Sequence, residues 1–298
     1  MPITDSPLRY PGGKTQMNKF ILDLFEYNNI NKNTTYVEPF AGGAGLALYL
    51  LFNNYVSKIC INDFDEKIYC MWYSILYKTE EFVDLIINTP ITVDSWHYFR
   101  SIYNDPSKHS VLRVGFATFY LNRTNRSGII TGGPIGGFDQ NAKDKINCRF
   151  NKKDLIRKIN RISYWKDSIN IFNEDAEDFI SNNILNMDPH DTFIFFDPPY
   201  YKQGKNLYAN FYNHSDHLSL SESIAGLINY KWITTYDNQR HIMQMYNGVP
   251  LTRYFIRYSA NKVRKEEELL IHSPKIKLPI SENIIYSGEY VKSVYIKR

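Results

Sequence analysis

A strand, a glycine-rich turn, an apolar helix and a second strand succeed one another between Thr34 and Asp65, and this unit constrains the fold more than any other stretch. "TTYVEPF" reads as a short strand entering a turn, "AGGAGLALYLLF" as glycines and then a helix, and "KICINDFD" (Lys58 to Asp65) as a strand ending in acids. Strand, loop, helix, strand is the opening of a doubly wound α/β sheet. Ahead of it, Met17, Phe20, Ile21, Leu24 and Phe25 recur at helical spacing. The same rhythm returns in "INIFNEDAEDFI" and "DTFIFFDPPYY", then in "KWITTYDN" and "YFIRYSA", while "EEELLIHS" and "YVKSVYIKR" read as an antiparallel edge. From about Trp72 to Trp165 the pattern is different: aromatic and helical, then glycine-rich and basic, with "GIITGGPIGGF" (Gly128 to Phe138) as a loop or hairpin. The expected architecture is one α/β domain formed by residues 1–72 and 166–298, with an inserted, mainly helical module at 73–165.

A chain of 298 residues with 43% hydrophobic residues can bury a sizeable core. Cys60, Cys70 and Cys148 make no paired framework, which points to a reducing cytoplasm; neither a signal core nor a membrane span is expected. The net charge is only +4, but residues 97–170 hold 14 Lys/Arg against 5 Asp/Glu. A basic middle in a slightly acidic frame suits a polyanion partner, and equally a solvated basic surface.

Some stretches carry chemistry. "RYPGGKTQ" (Arg9 to Gln16) ends like a phosphate-binding loop, but Leu8 stands where that pattern needs glycine and no strand precedes it. In "FIFFDPPYY" an apolar strand ends at Asp197-Pro198-Pro199-Tyr200, and ligands of open α/β sheets bind beyond the carboxyl ends of strands. Prolines fix φ and lack an N–H, so the carbonyls here can be aimed. A carboxylate, an aimed carbonyl and a tyrosine face suit the exocyclic amino group of a planar base; a plain strand-to-turn exit is the alternative. In "VEPFAGGAG" (Val37 to Gly45) glycines allow close backbone approach, and Asp63, 18 residues after Gly45, is placed to bind ribose hydroxyls. Glu38 would repel a pyrophosphate. It suits a ligand with a positive centre and an amino group, such as S-adenosylmethionine.

Together these motifs resemble the N6-adenine-specific DNA methyltransferases, in the order with the target-recognition module inserted between the glycine-loop motif and the DPPY motif. "RYPGGK", "VEPFAGGAG", "IND", "NEDAEDFI" and "DPPY" match that family's motifs in sequence order, and "WITTYDN" and "YSANKVRKEEELLI" its later strands. The resemblance implies a Rossmann-like catalytic domain and transfer of a methyl group from S-adenosyl-L-methionine to a flipped-out adenine, leaving S-adenosylhomocysteine, with no metal. It implies a catalytic set of Asp197, Pro198, Pro199 and Tyr200. The implied cofactor site is Tyr10, Gly12, Gly13, Lys14, Glu38, Pro39, Phe40, Gly42, Gly43, Gly45, Asp63, Asp175 and Asp197. Lys14 would pair with the cofactor carboxylate or with the acids of the site, and Asp175 or nearby polar groups would meet the cofactor adenine. Asp rather than Ser at the head of the tetrapeptide favours adenine over cytosine N4, and no cysteine follows a proline as cytosine C5 transfer requires.

Arg and Asn are the residues that read guanine and adenine edges, so Asn122, Arg123, Asn125 and Arg126 are the expected base readers. Lys152 and Lys153, with Arg149, Arg157, Lys158 and Arg161, are expected at phosphates or on a solvated face. "LNRTN" matches a recurrent family stretch, but "IITGGPIGG" departs from the polar hairpin of GATC-type members, so no target site follows. "KQGKNLYANFY", with Tyr208 and Phe211, is a candidate for closing over the flipped base. The partner implied is double-stranded DNA, in a bacterial or phage setting and without a membrane. A cognate restriction endonuclease and the oligomeric state stay open. The rival readings are the same chemistry on RNA, a non-catalytic nucleic-acid binder, and a nicotinamide-dependent oxidoreductase, which Glu38 and the missing glycine fingerprint disfavour.

Overall fold

The computed structural model describes residues 4–9, 14–202, 212–259, 262–263 and 267–287. Its sheet begins with β1 (Thr35–Glu38), β2 (Lys58–Asn62), β3 (Ile169–Phe172), β4 (Thr192–Phe196) and β5 (Lys231–Asp237), all parallel to one another. It continues with β6 (Leu251–Ser259), β7 (Lys262–Val263), β8 (Glu268–His272) and β9 (Ile284–Ser287). The order is β3-β2-β1-β4-β5-β8-β6-β7, and β9 also pairs with β6. The chain winds outward from β1 through β2 to β3, then returns to place β4 on the other side of β1. The crevice beyond the ends of β1 and β4 is therefore the topological switch point, where ligands of such sheets bind.

The residues dictate a two-faced sheet. Side chains alternate along a strand, and "TFIFF" sends Phe193 and Phe195 into one core and Ile194 and Phe196 into the other. The first core holds α1 (Asn18–Tyr27), α2 (Gly45–Phe52) and α3 (Glu66–Tyr77); the second holds α8 (Ala176–Asn182), α9 (His214–Ala225) and α10 (Arg240–Met245). Helices on both faces cover a sheet buried on both sides.

Between β2 and β3 the chain is helical: α3, then α4 (Thr79–Asn88), α5 (Val93–Asn104), α6 (Val111–Thr124) and α7 (Lys152–Tyr164). Phe82, Phe99, Phe116, Phe119, Tyr120 and Phe150 pack ring against ring there, which explains the aromatic bias of this stretch. Residues 126–150 form turns, tied to the end of α6 by an isolated bridge between Asn125 and Pro134.

Two expectations change. "EEELLIHS" forms no edge: β8 lies inside the sheet, antiparallel to both β5 and β6, and its residues are all buried. Strand β2 stops at Asn62, so Asp63 stands just beyond it, free to turn its carboxylate back toward the glycine loop. The stretch "YVKSVYIKR" lies outside the described residues.

Candidate active site

A cavity of about 760 Å³ opens at the switch point. Its walls include Lys14, Glu38, Phe40, Gly42, Gly43, Gly45, Asp63, Phe64, Asp197 and Pro199. Glu38, Asp63 and Asp197, far apart in sequence, meet there because β1, β2 and β4 are adjacent parallel strands that all end at this crevice. The volume is that of a site for a cofactor-sized ligand.

Glu38 ends β1 and is 6% exposed. The Tyr36 hydroxyl donates to it at 2.8 Å. Burial pushes its carboxyl up to about 8, against the pull of that hydrogen bond, and the charge of Asp197 adds to the rise. Asp63 takes the Gly42 N–H on Oδ2 at 2.8 Å and the Asp65 N–H on Oδ1 at 3.0 Å. Burial again dominates and pushes it up to about 7. Gly42 adopts φ 46°, in the region that favours glycine, and this turns its N–H onto Asp63. A Cβ on Gly45 would lie 2.7 Å from Thr15 Oγ1, so the segment carrying Lys14 packs directly against the glycine loop.

At the other wall, Lys14 Nζ lies 2.9 Å from Asp197 Oδ1 and donates to Tyr200 Oη at 3.0 Å. Lys14 is 4% exposed and Asp197 21%, so the pair opens to the cavity through its carboxylate. Burial works to neutralise Lys14, but Asp197 and Tyr200 beside it hold its pKa well above the usual ammonium value. Asp197 is raised by burial, with Lys14 opposing. Thr235 Oγ1, on β5, donates to the same Oδ1 at 2.8 Å. One oxygen of Asp197 is thus held twice, and Oδ2 is the oxygen left to accept from a ligand. Of the two partners expected for Lys14, the structure places it on the acid. Asp237, at the end of β5, takes the N–H groups of Tyr201 and Lys202 at 2.9 and 3.0 Å and so fixes the turn that follows Tyr200. Sequence reasoning missed Thr235 and Asp237; the signal available was "TTYD" closing a strand next to β4.

The donor set fits S-adenosyl-L-methionine. Two carboxyls raised by burial call for hydrogen-bond donors or positive charge, which a ribose, an ammonium and a sulfonium provide. Asp63 keeps acceptor capacity on both oxygens after its backbone bonds. Phe64, 56% exposed and lining the cavity, offers an apolar face beside it.

Other expected residues are placed differently. Asp175 is absent from the cavity lining; its carboxylate caps α8, accepting from the Glu177 N–H at 2.9 Å. Asn122 and Asn125 are fully buried. Asn122 accepts from the Arg9 N–H at 2.8 Å and donates to the carbonyls of Arg9 and Gly128 at 3.1 and 2.8 Å. Asn125 accepts from Trp96 Nε1 at 2.6 Å and donates to the carbonyls of Ile129 and Ile130 at 2.9 and 2.8 Å. With every amide group engaged, neither side chain faces outward to read a base; both hold the loop that follows α6. Lys152 donates to the carbonyls of Ile87 and Thr89 at 2.7 and 2.9 Å, closing the end of α4. Arg126 and Lys153 are exposed, and Arg123 is half-buried in the cavity wall. Tyr10, Gly12 and Gly13 lie outside the described residues, as do Tyr208 and Phe211. Pro39 and Pro198 are absent from the lining, as is Tyr200, which meets the site through Lys14. No cluster able to hold a metal ion occurs among the described residues.

Truncating Asn125 leaves the buried Trp96 indole N–H without its partner, at about 1–3 kcal/mol, and takes one hydrogen bond each from the Ile129 and Ile130 carbonyls, which keep the Gly132 N–H and Arg100 Nη2. Asn125→Ala is therefore expected to lower stability by about 2–4 kcal/mol in thermal or urea unfolding, and Arg126→Ala by less than about 0.5 kcal/mol. Equal, small losses would return Asn125 to the candidate base readers.

A parallel sheet with an antiparallel strand wedged next to β5, and carboxylates at its switch point, is the framework of a Rossmann-like methyltransferase. The model of the D12 class N6 adenine-specific DNA methyltransferase family matches residues 10–278, and the chain belongs to that family. Membership implies use of S-adenosyl-L-methionine. Among solved structures, the rRNA methyltransferase aviRa from Streptomyces viridochromogenes is similar over 89% of this chain and 87% of its own, at 12% identity and TM-score 0.40. An uncharacterized protein from Listeria monocytogenes serotype 4b is similar over 89% and 70%, at 12% identity and TM-score 0.33. No match was found among curated proteins. Among the described residues, no helix is long and apolar enough to cross a membrane.

Proposed function

We propose that the protein methylates the N6 amino group of an adenine flipped out of duplex DNA. The observation that carries this reading is Asp197: a carboxylate just after β4, with one oxygen fixed by Lys14 and Thr235, lining the cavity that Glu38 and Asp63 share. When bound, S-adenosyl-L-methionine supplies an electrophilic methyl group on a sulfonium. Glu38 and Asp63 would hold its charged and hydroxyl groups. Asp197 Oδ2 and the Pro198 carbonyl accept the two N6 protons, which draws the amino nitrogen towards tetrahedral geometry and frees its lone pair. As that nitrogen takes the methyl group it becomes positively charged beside a preorganised carboxylate, the situation in which electrostatic stabilisation is largest, and it then sheds one proton to Asp197 and on to solvent. Lys14 opposes the rise that burial imposes on Asp197 and so favours its charged form, and Tyr200 gives the base a stacking face. Flipping costs a few kcal/mol of unstacking, which stacking and amino-group hydrogen bonds offset.

The helical segment at 73–165, inserted between β2 and β3, would be the target-recognition domain, with exposed Arg126 and Lys153 as contacts to DNA. Duplex DNA is favoured over RNA by the family's described substrate. The test is modification-aware single-molecule sequencing of DNA from cells expressing the protein, against an Asp197→Ala control. N6-methyladenine at one short motif, absent in the control, is the expected result. A mark on RNA alone, or none, would overturn the DNA reading.

A further inference from the structure

The cavity has a second polar wall that methyl transfer does not use. Arg9, Arg123 and Arg149 line it together, in the same cavity as Asp197. Arg9 precedes the segment that leads to Lys14. Asn122 brackets its backbone from both sides, and Gly128, at φ 77°, presses on it so closely that a Cβ there would lie 2.0 Å from the Arg9 carbonyl oxygen. This is a built position, reached from the end of α6.

Among the described residues, no ion pair engages any of the three side chains. Arg9 Nη1 donates to the Asn125 carbonyl at 3.0 Å, and Arg123 Nη2 donates to the Arg149 carbonyl. The Nε–H groups of Arg9 and Arg123 are buried and have no partner among the described residues. Asp154, which also faces Arg123, is engaged by Arg157 at 2.7 Å and Lys158 at 3.4 Å. Burial, and then repulsion from Arg9 and Arg149, pushes the Arg123 guanidinium down to about 10; Arg9 is lowered by burial and by Arg149. Like charges crowded into a wall with neutral carbonyls as their hydrogen-bond partners are in an unfavourable state that an anion relieves. Guanidinium forks match the oxygens of a phosphate.

We propose that Arg9, Arg123 and Arg149 form a binding site for one phosphodiester of duplex DNA, the backbone group next to the nucleotide that enters the Asp197 crevice. The inference rests on the adenine-transfer reading and adds the backbone anchor that reading lacks. It also sets backbone recognition beside the catalytic pair: Arg9, Lys14 and Asp197 line the same cavity. The carboxylate of the cofactor shares the chemistry of a phosphodiester, and the experiment separates the two.

The full-length protein would be compared with Arg149→Ala, Arg123→Ala and Arg123→Lys on the duplex identified by sequencing. Arg149 is exposed, so its removal tests the site even where Arg123→Ala folds poorly. The measurements are the slope of log Kobs against log[KCl], the KM for DNA and the kcat, and the Kd for S-adenosyl-L-methionine by calorimetry. Each phosphate neutralised contributes about 0.9 to the slope for B-DNA. Arg149→Ala is expected to shallow the slope by about that amount and to raise KM for DNA about fivefold or more, with cofactor Kd unchanged. Arg123→Lys keeps the charge but loses the fork, so it should recover the slope and only part of the affinity. A duplex with a single methylphosphonate at the critical position should weaken the wild type but cost Arg149→Ala nothing further.

Unchanged slope and KM in the Arg variants would overturn the site. So would a cofactor Kd raised about tenfold with the DNA slope intact, which assigns the arginines to the cofactor carboxylate, or an effect on RNA hairpins alone. Should the wild type bind a mixed-sequence duplex without methylating it, a shallower salt slope for Arg149→Ala on that duplex would uphold the phosphate site while sinking the adenine-transfer reading.

Discussion

Asp197→Ala is expected to reduce single-turnover methyl transfer at least about a thousandfold, equivalent to about 4 kcal/mol of transition-state stabilisation. The Kd for S-adenosyl-L-methionine should move by less than about tenfold. The asymmetry follows from the two walls of the cavity: Glu38 and Asp63 stand on β1 and after β2, and Asp197 follows β4. Removing the carboxylate also takes the ion-pair partner from the Lys14 ammonium, which is 4% exposed and lies 2.9 Å from Asp197. Breaking a buried pair by removing one partner costs about 3–5 kcal/mol, so a loss of activity by Asp197→Ala alone is open to the charge of misfolding. The double variant Lys14→Met/Asp197→Ala answers it. With both charges gone the melting temperature should recover much of its value, while transfer stays absent. Transfer within about tenfold of wild type in either variant, about 1.4 kcal/mol, would refute the amino-group role of Asp197.

What the sequence made legible was set by distance along the chain. β1, β2, β4 and β5 announced themselves through local apolar runs, and the glycine loop and the acids beside it lie within single short segments. The placement of β8 was not legible, because "ELLIH" reads the same at an edge as in the interior. Only its pairing with both β5 and β6 decides, and those partners lie elsewhere in the chain. The internal engagement of Asn122, Asn125 and Lys152 was hidden for a similar reason. Asn122 has the right chemistry for adenine at any exposed position, but its amide is taken by Arg9, 113 residues away. Asn125 is taken by Trp96, and Lys152 by the carbonyl end of α4. Asp175 was legible in principle: an Asp directly before a helix start, with acids following, is an N-cap pattern. Arg9 went unnoticed beside the glycines that follow it, since nothing in "LRYPGG" reveals that two other arginines arrive at the same wall.

Glu38→Gln is expected to stabilise the free protein at alkaline pH while weakening cofactor binding. Glu38 titrates near 8 in the folded chain, chiefly through burial, against an ordinary value of 4.5. The folded state therefore holds a proton that the unfolded chain releases between these values. Stability falls as pH rises through that window, because the unfolded state binds fewer protons there. Asp63, raised from 3.8 to about 7, acts with the same sign. A shift of this size corresponds to a few kcal/mol as an upper bound. A neutral isostere escapes the penalty, so Glu38→Gln should melt about 4–8 °C above wild type at pH 8.5 for a gain of about 2 kcal/mol. The two should converge near pH 5, where Glu38 is protonated in the folded state. The opposite order holds with S-adenosyl-L-methionine present. A positive ligand group draws Glu38 into its charged form, so wild type should release protons on binding at pH 7–8, read by calorimetry in buffers of different ionisation heat. Glu38→Gln should release fewer and bind at least about tenfold more weakly, about 1.4 kcal/mol. A variant that melts like wild type at every pH, with cofactor affinity intact, would remove Glu38 from the site. The physical point is that the carboxylate is uncomfortable in the free protein for the reason that makes it useful: burial withholds the water that would compete with the ligand.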